Sequence, residues 1–197
     1  MARKLDEEKR TRILEAARGA FGDGGFQKTT IKNIAEKTGL AQGTVYTYFE
    51  NKENLFDAVV EDIWREFDNG MKKINFSSAS LIKKFTEFLD FGFALLEQVH
   101  PLLRGMYSEA NRRELLSEKL DTICSYIDRL FISSQSNSSL FGPLSAESRK
   151  FNLNIMVSGV LFRASLTKPE DLDQELIFMK NGILRAMGDR IAMGQLK

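Results

Sequence analysis

The stretch Thr29–Leu55 reads TTIKNIAEKTGLAQGTVYTYFENKENL, two short runs of helical periodicity separated by a glycine. Thr30 is suited to cap a helix whose buried side is Ile31, Ile34 and Ala35, and Gly39 is suited to end it. A further helix runs from about Gln42 to Phe49. With Val45 set at zero and about 100° added per residue, Phe49 falls beside it, while Gly43 and Thr47 fall almost opposite. Val45 and Phe49 therefore anchor this helix, and Gly43 and Thr47 face outward. Two short helices joined by a tight turn and packed on a preceding helix make a helix-turn-helix unit, whose second helix is narrow enough for the major groove of DNA.

That preceding helix is legible between Lys9 and Phe21, where Ile13, Leu14, Ala17, Ala20 and Phe21 recur at helical spacing before Gly22, Gly24 and Gly25 end the run. Downstream, Asn51 can cap a long helix with the stripe Leu55, Phe56, Val59, Ile63, Phe67 and Met71. The stripe outlasts the first three helices, so this fourth one is expected to connect two domains, 1–52 and 53–197. A polar break from Asn75 to Ser80 precedes a fifth helix, expected to end near His100 because a residue before proline is disfavoured in the α region. Pro101 then opens a short sixth helix, and a seventh runs from about Glu109 to Ile132. Ser133–Ser139 reads as a loop.

An eighth helix, about Ala146 to Leu166, is apolar nearly all round its centre and must be covered on more than one side. Pro169 opens a ninth, with Glu170 and Asp171 in its first turn. Its main stripe is Leu172, Leu176, Met179, Ile183 and Met187; Ile177, Leu184 and Ile191 form a second one, and Phe178 falls outside both. No segment alternates apolar and polar residues as a half-buried strand would. The expected architecture is all-α with about nine helices: an N-terminal three-helix DNA-binding domain and a larger helical C-terminal domain.

Composition narrows the function. The 28 basic and 27 acidic residues nearly cancel, so any basic surface is local; up to Phe56 there are 10 basic residues against 8 acidic. One histidine, His100, and one cysteine, Cys124, leave no metal-ligand cluster, cofactor site or catalytic constellation, which argues against an enzyme. His100 at its proline corner reads as a surface or capping residue, and Cys124 as a small buried apolar one. With a charged N-terminus and no run of eighteen apolar residues, the expectation is a cytoplasmic protein without a membrane partner.

The outward face of the recognition helix supplies readers of bases. The Gln42 amide can pair bidentately with adenine, Thr47 and the ring of Tyr46 can meet a thymine methyl, and Gly43 leaves room for close approach. Donors suited to phosphates stand at the edges: Thr30, Thr44, Tyr48, and Lys52 at the start of the fourth helix.

These residues resemble the signature of the TetR family of transcriptional regulators. They include Thr29-Thr30-Ile31, Ile34-Ala35, Gly39-Leu40, Gly43-Thr44-Val45-Tyr46-Thr47-Tyr48-Phe49 and Asn51-Lys52-Glu53 with Leu55, preceded by Ile13-Leu14, Ala16-Ala17, Phe21 and Gly25-Phe26. One departure is Ala41, where the family often has a serine that caps the recognition helix. The resemblance implies a homodimer bound to a near-palindromic operator, with a ligand pocket and dimer interface in the C-terminal domain. It also implies a small-molecule effector, mainly hydrophobic, and favours repression over activation. A helical interaction module that lost operator recognition is the competing class.

Pocket candidates are the aromatic and methionine residues Trp64, Phe67, Met71, Phe88, Phe91, Met106, Tyr107, Tyr126, Phe131 and Met156, together with Arg163. Arg163 suits either an anionic ligand or an acid on a neighbouring helix. The eighth and ninth helices carry more apolar surface than one domain interior can cover, so the main stripe of the ninth is the expected dimer interface.

Overall fold

The structure, a computed structural model, describes residues 6–108, 113–132 and 145–192. Among the described residues there are eight α-helices and no strands: α1 (Glu7–Lys28), α2 (Ile31–Thr38), α3 (Gln42–Tyr48), α4 (Lys52–Phe76), α5 (Leu81–Ser108), α6 (Arg113–Ile132), α7 (Ala146–Leu166) and α8 (Leu172–Ala192). The chain divides into two compact units, residues 1–68 and 69–197.

In the first unit, Ile13, Leu14, Ala17 and Phe21 of α1 are buried with Ile31 and Ile34 of α2, Val45 of α3, and Leu55, Phe56 and Val59 of α4. The rings of Phe21, Phe26 and Phe56 meet with centroids 5.1 to 5.8 Å apart. α4 contributes Leu55, Phe56 and Val59 to this core, and the first compact unit runs to Asp68. The glycine cluster kinks α1 instead of ending it: Gly25, at φ 71°, breaks the helical path, and the element continues to Lys28 because left-handed glycine backbone permits the bend without a stop.

In the second unit the main departure from the sequence reading is Pro101, which lies inside a continuous α5 instead of starting a new helix. Proline removes one backbone hydrogen bond, but Leu95, Leu96, Leu102 and Leu103 on both sides of it are buried, and that packing carries the helix through. His100 is correspondingly buried and not at the surface. Its Nε2–H donates to the carbonyl oxygens of Ala164 (2.9 Å) and Thr167 (3.1 Å), so it caps the C-terminal end of α7.

The expected eighth and ninth helices are α7 and α8. Ser145 caps α7 by accepting from the Ser148 N–H, and α8 follows a 3-10 turn at Pro169–Asp171. Leu96, Leu103, Ala164, Leu172 and Leu176 join α5, α7 and α8 in one buried cluster. Arg149 pairs with Asp128 at 3.0 Å, and the Asn154 amide donates to Asp121 at 3.0 Å, tying α7 to α6. The serine loop, 133–139, lies outside the described residues, as do the side chains of Met106, Tyr107, Phe131 and Met187.

Candidate nucleic-acid interface

The turn between α2 and α3 is built from local rules. Thr30 and Asn33 form a reciprocal capping box: the Thr30 hydroxyl accepts from the Asn33 N–H and the Asn33 amide oxygen accepts from the Thr30 N–H, each at 3.2 Å. Gly39 ends α2 at φ 66°, and the Leu40 N–H reaches back to the Ala35 carbonyl at 3.1 Å. A side chain at Gly39 would meet the left-handed penalty of about 1–2 kcal/mol. As the departure at Ala41 implies, α3 begins without a side-chain cap.

Val45 is fully buried and Phe49 nearly so, while Gln42, Gly43, Tyr46 and Thr47 are exposed together on the opposite face of α3. A Cβ added to Gly43 would meet nothing within 4 Å, so the glycine answers no packing need within the subunit. The Thr47 hydroxyl donates to the Gly43 carbonyl at 2.9 Å, which fixes its rotamer and leaves its oxygen able to accept.

Two bonds steady α1 against its neighbours. Arg12 Nη2 donates to the Thr38 carbonyl at 2.7 Å, and the Asp6 N–H donates to the Tyr48 hydroxyl at 3.1 Å. The backbone N–H of Lys9, with that residue's ammonium and the Glu8 N–H, holds the Asp6 carboxyl below the ordinary aspartate value.

The four phosphate candidates differ in what the fold already asks of them. Thr30 caps α2, Thr44 is half-buried, and Tyr48 accepts from Asp6. Lys52 is the most committed: Nζ donates to the carbonyls of Phe26 (2.9 Å) and Thr29 (3.1 Å) and sits 4.3 Å from the centroid of the Phe26 ring. It ties the start of α4 to the α1–α2 connection, where the buried Thr29 hydroxyl also donates to the Ala20 and Gly25 carbonyls. Pattern reading passed over Lys28 and Lys32, both exposed on either side of Thr30 in the chain. Their signal was only a cation near a capping threonine. Lys32 also approaches Glu36 at 4.0 Å.

The expected pocket residues do not form one set. Trp64 and Phe67, in the first unit, stack on each other at 4.9 Å. In the second unit Met71, Phe88 and Tyr126 are buried, and Phe91 lies against α4. Met156 and Arg163 instead face outward from α7, because the buried side of that helix is Leu153 and Ala164. Arg163 makes a two-pronged ion pair with Glu175 of α8, at 2.6 and 3.2 Å, which depresses the Glu175 carboxyl. It belongs to a surface cleft with Leu166, Lys168, Gln174 and Phe178 rather than to an apolar interior.

The N-terminal part of the expected interface stripe is turned inward. Leu172 and Leu176 are 5% and 6% exposed, with Met179 packed against the same cluster, and Ile183 is half-buried. Among the described residues of α7 and α8, the large apolar side chains left exposed include Phe151, Ile155, Phe162 and Leu166 along α7, with Ile177 and Phe178 on α8. Cys124 is buried as expected, and burial pushes its thiol up to about 11. Among the described residues no helix is long and apolar enough to cross a membrane.

Comparison with known proteins agrees with this geometry. Residues 13–59 match the family model for bacterial regulatory proteins of the tetR family. Over 134 residues the chain is 28% identical to an uncharacterized HTH-type transcriptional regulator, YfiR, of Bacillus subtilis, covering 63% of this chain and 64% of that one. It is 26% identical over 121 residues to the fatty acid metabolism regulator protein of Bacillus subtilis, covering 61% and 62%. The chain thus spans less than two thirds of the length of these curated relatives. The solved structure of the transcriptional regulator FadR from Bacillus subtilis in complex with stearoyl-CoA superposes with a TM-score of 0.69 over 89% of this chain and 96% of that one. At 19% identity, that likeness is one of fold.

Proposed function

We propose, from the match of residues 13–59 to the tetR family model, that the chain is a TetR-family protein and a cytoplasmic, ligand-responsive, sequence-specific DNA-binding transcriptional regulator. In this reading it is a repressor that grips a near-palindromic operator as a homodimer and lets go when a small, mainly hydrophobic effector binds. The observation that carries the reading is the exposed face of α3, where Gln42, Gly43, Tyr46 and Thr47 stand clear of the core while Val45 and Phe49 hold the helix down. Thr30, Thr44 and Tyr48 contact phosphates beside it. Lys28 and Lys32 add charge, and Lys52, with two of its three N–H donors engaged, contributes at most one bond.

The uncovered apolar faces of α7 and α8 support a homodimer built on those helices, since apolar side chains of this size favour burial by about 1.5–3 kcal/mol each. The buried apolar residues Met71, Phe88 and Tyr126, with Phe91, support an effector with a long apolar part. The relatives concerned with fatty acids and stearoyl-CoA make fatty acyl compounds the first class to test.

The deciding experiment is selection from a random-sequence duplex library, followed by titration across a salt series. Recovery of an inverted repeat is expected, with log affinity falling linearly in log salt. Gln42→Ala and Thr47→Ala should erode discrimination by about 1–3 kcal/mol per lost base contact, whereas Lys28→Ala and Lys32→Ala should weaken specific and random DNA alike. Equal affinity for every duplex would favour the interaction-module reading.

A further inference from the structure

Most of the large apolar side chains that stand exposed among the described residues lie on α7 and α8, and Tyr46 lies on the recognition face; Phe76 and Ile82 belong to neither group. They flank the turn between α4 and α5, and Phe76, at 87%, is the most exposed of all. At about 100° per residue, Phe76 falls about 140° from Met71 and about 160° from Ile74, both buried, and so shares the outer side of α4 with Lys72 and Lys73. On α5 the buried residues are Leu81 and Phe85, which leaves Ile82 and Lys83 outward. Side chains close the corner: the Ser77 hydroxyl donates to the Ile74 carbonyl and Lys84 Nζ to the Asn75 carbonyl, each at 2.9 Å. From Asn69 to Thr86 there are four lysines and no acid, in a chain whose basic and acidic residues nearly cancel.

We propose that this corner docks on an anionic phospholipid surface, with Phe76 and Ile82 entering the boundary between headgroups and acyl chains and Lys73 and Lys83 meeting lipid phosphates. The partner follows from what each side chain asks for. A single-stranded nucleic acid would use the ring and the charges but has no use for Ile82. A second copy of the corner would set like charges against each other. An anionic bilayer uses all three features, since apolar side chains gain by leaving water and lysines are drawn to its negative surface potential. The sequence expectation of no membrane partner rests on the lack of a spanning segment, which bears on crossing a bilayer and not on resting against one.

The test is sedimentation of the full-length protein with vesicles of phosphatidylglycerol and phosphatidylcholine in equal parts, compared with vesicles of phosphatidylcholine alone. Binding to the first and not the second is expected, weakening as salt is added. Lys73→Gln and Lys83→Gln should each weaken vesicle binding about fivefold, and Phe76→Ser about tenfold or more. Because Phe76 is exposed, Phe76→Ser should melt as wild type does and bind duplex DNA with unchanged affinity.

The double variant Lys28→Ala/Lys32→Ala, altered beside the candidate nucleic-acid interface, should keep its affinity for vesicles. Loss of vesicle binding there with wild-type binding in Phe76→Ser would assign the lipid to the DNA-binding surface and overturn the proposal. Equal binding to both kinds of vesicle would overturn it too, as adhesion without charge. So would no binding of the wild-type protein to anionic vesicles at low salt, which would leave the corner to an acidic protein. None of these outcomes depends on operator recognition, so the regulator reading stands or falls separately.

Discussion

The Lys52 ammonium sits within hydrogen-bonding distance of two carbonyls and against the Phe26 ring, so its charge is engaged inside the first unit before any DNA arrives. Sequence spacing put Lys52 at the start of α4, which is correct, but spacing carries no information about where the bend at Gly25 aims the Phe26 and Thr29 carbonyls. The exposed face of α3 was legible because a rotation of about 100° per residue decides it without tertiary knowledge. Lys52→Met keeps the aliphatic stem over Phe26 and leaves both carbonyls without this donor. The expected cost is about 1–3 kcal/mol, read as a lower midpoint in thermal unfolding, with the salt slope of DNA binding reduced by no more than one. Wild-type melting combined with a smaller salt slope would return Lys52 to the role of a simple phosphate contact.

At the scale of elements, periodicity identifies stripes but not the direction each one faces. Both stripes of α8 were visible, yet the stripe that starts with Leu172 and Leu176 packs on Leu96 and Leu103 of α5, leaving Ile177 and Phe178 in solvent. The requirement that α7 be covered on more than one side is met from within along Leu153 and Ala164, with Val160 and Leu161 packed against the cluster that holds Ala164, while Phe151, Ile155 and Phe162 stay bare. Pro101 misled for a related reason: local preference was overridden by buried leucines on both sides of it. If α7 and α8 meet their copies about a two-fold axis, a charge there is repeated across the axis. Phe178 is 75% exposed, so Phe178→Glu should leave the subunit folded while yielding monomers in sedimentation and losing operator affinity with them. A stable dimer from that variant would move the interface off α8.

For the whole molecule, helix type and order were readable from the sequence, whereas the extent of the first core was not. It takes in Leu55, Phe56 and Val59 of α4, and only a folded core shows which residues it needs. α4 begins at Lys52 in the first unit and finishes at Phe76 in the second. Dimers on DNA hold their recognition helices about 34–36 Å apart to meet successive major grooves, so a modest swing of α4 in each subunit spoils the match. Thermodynamic linkage then demands symmetry: whatever factor the effector takes from operator affinity, the operator takes from effector affinity. With a fatty acyl compound that binds the free dimer, effector affinity measured with saturating operator should be weaker than without it. A coupling of roughly 1–3 kcal/mol corresponds to a ratio of about 5 to 150. The same ratio must appear when operator affinity is titrated with and without saturating effector. Equal effector affinities in the two conditions would show that the compound occupies the protein without touching the equilibrium that DNA binding reads, since a ligand with no differential affinity for two states shifts neither.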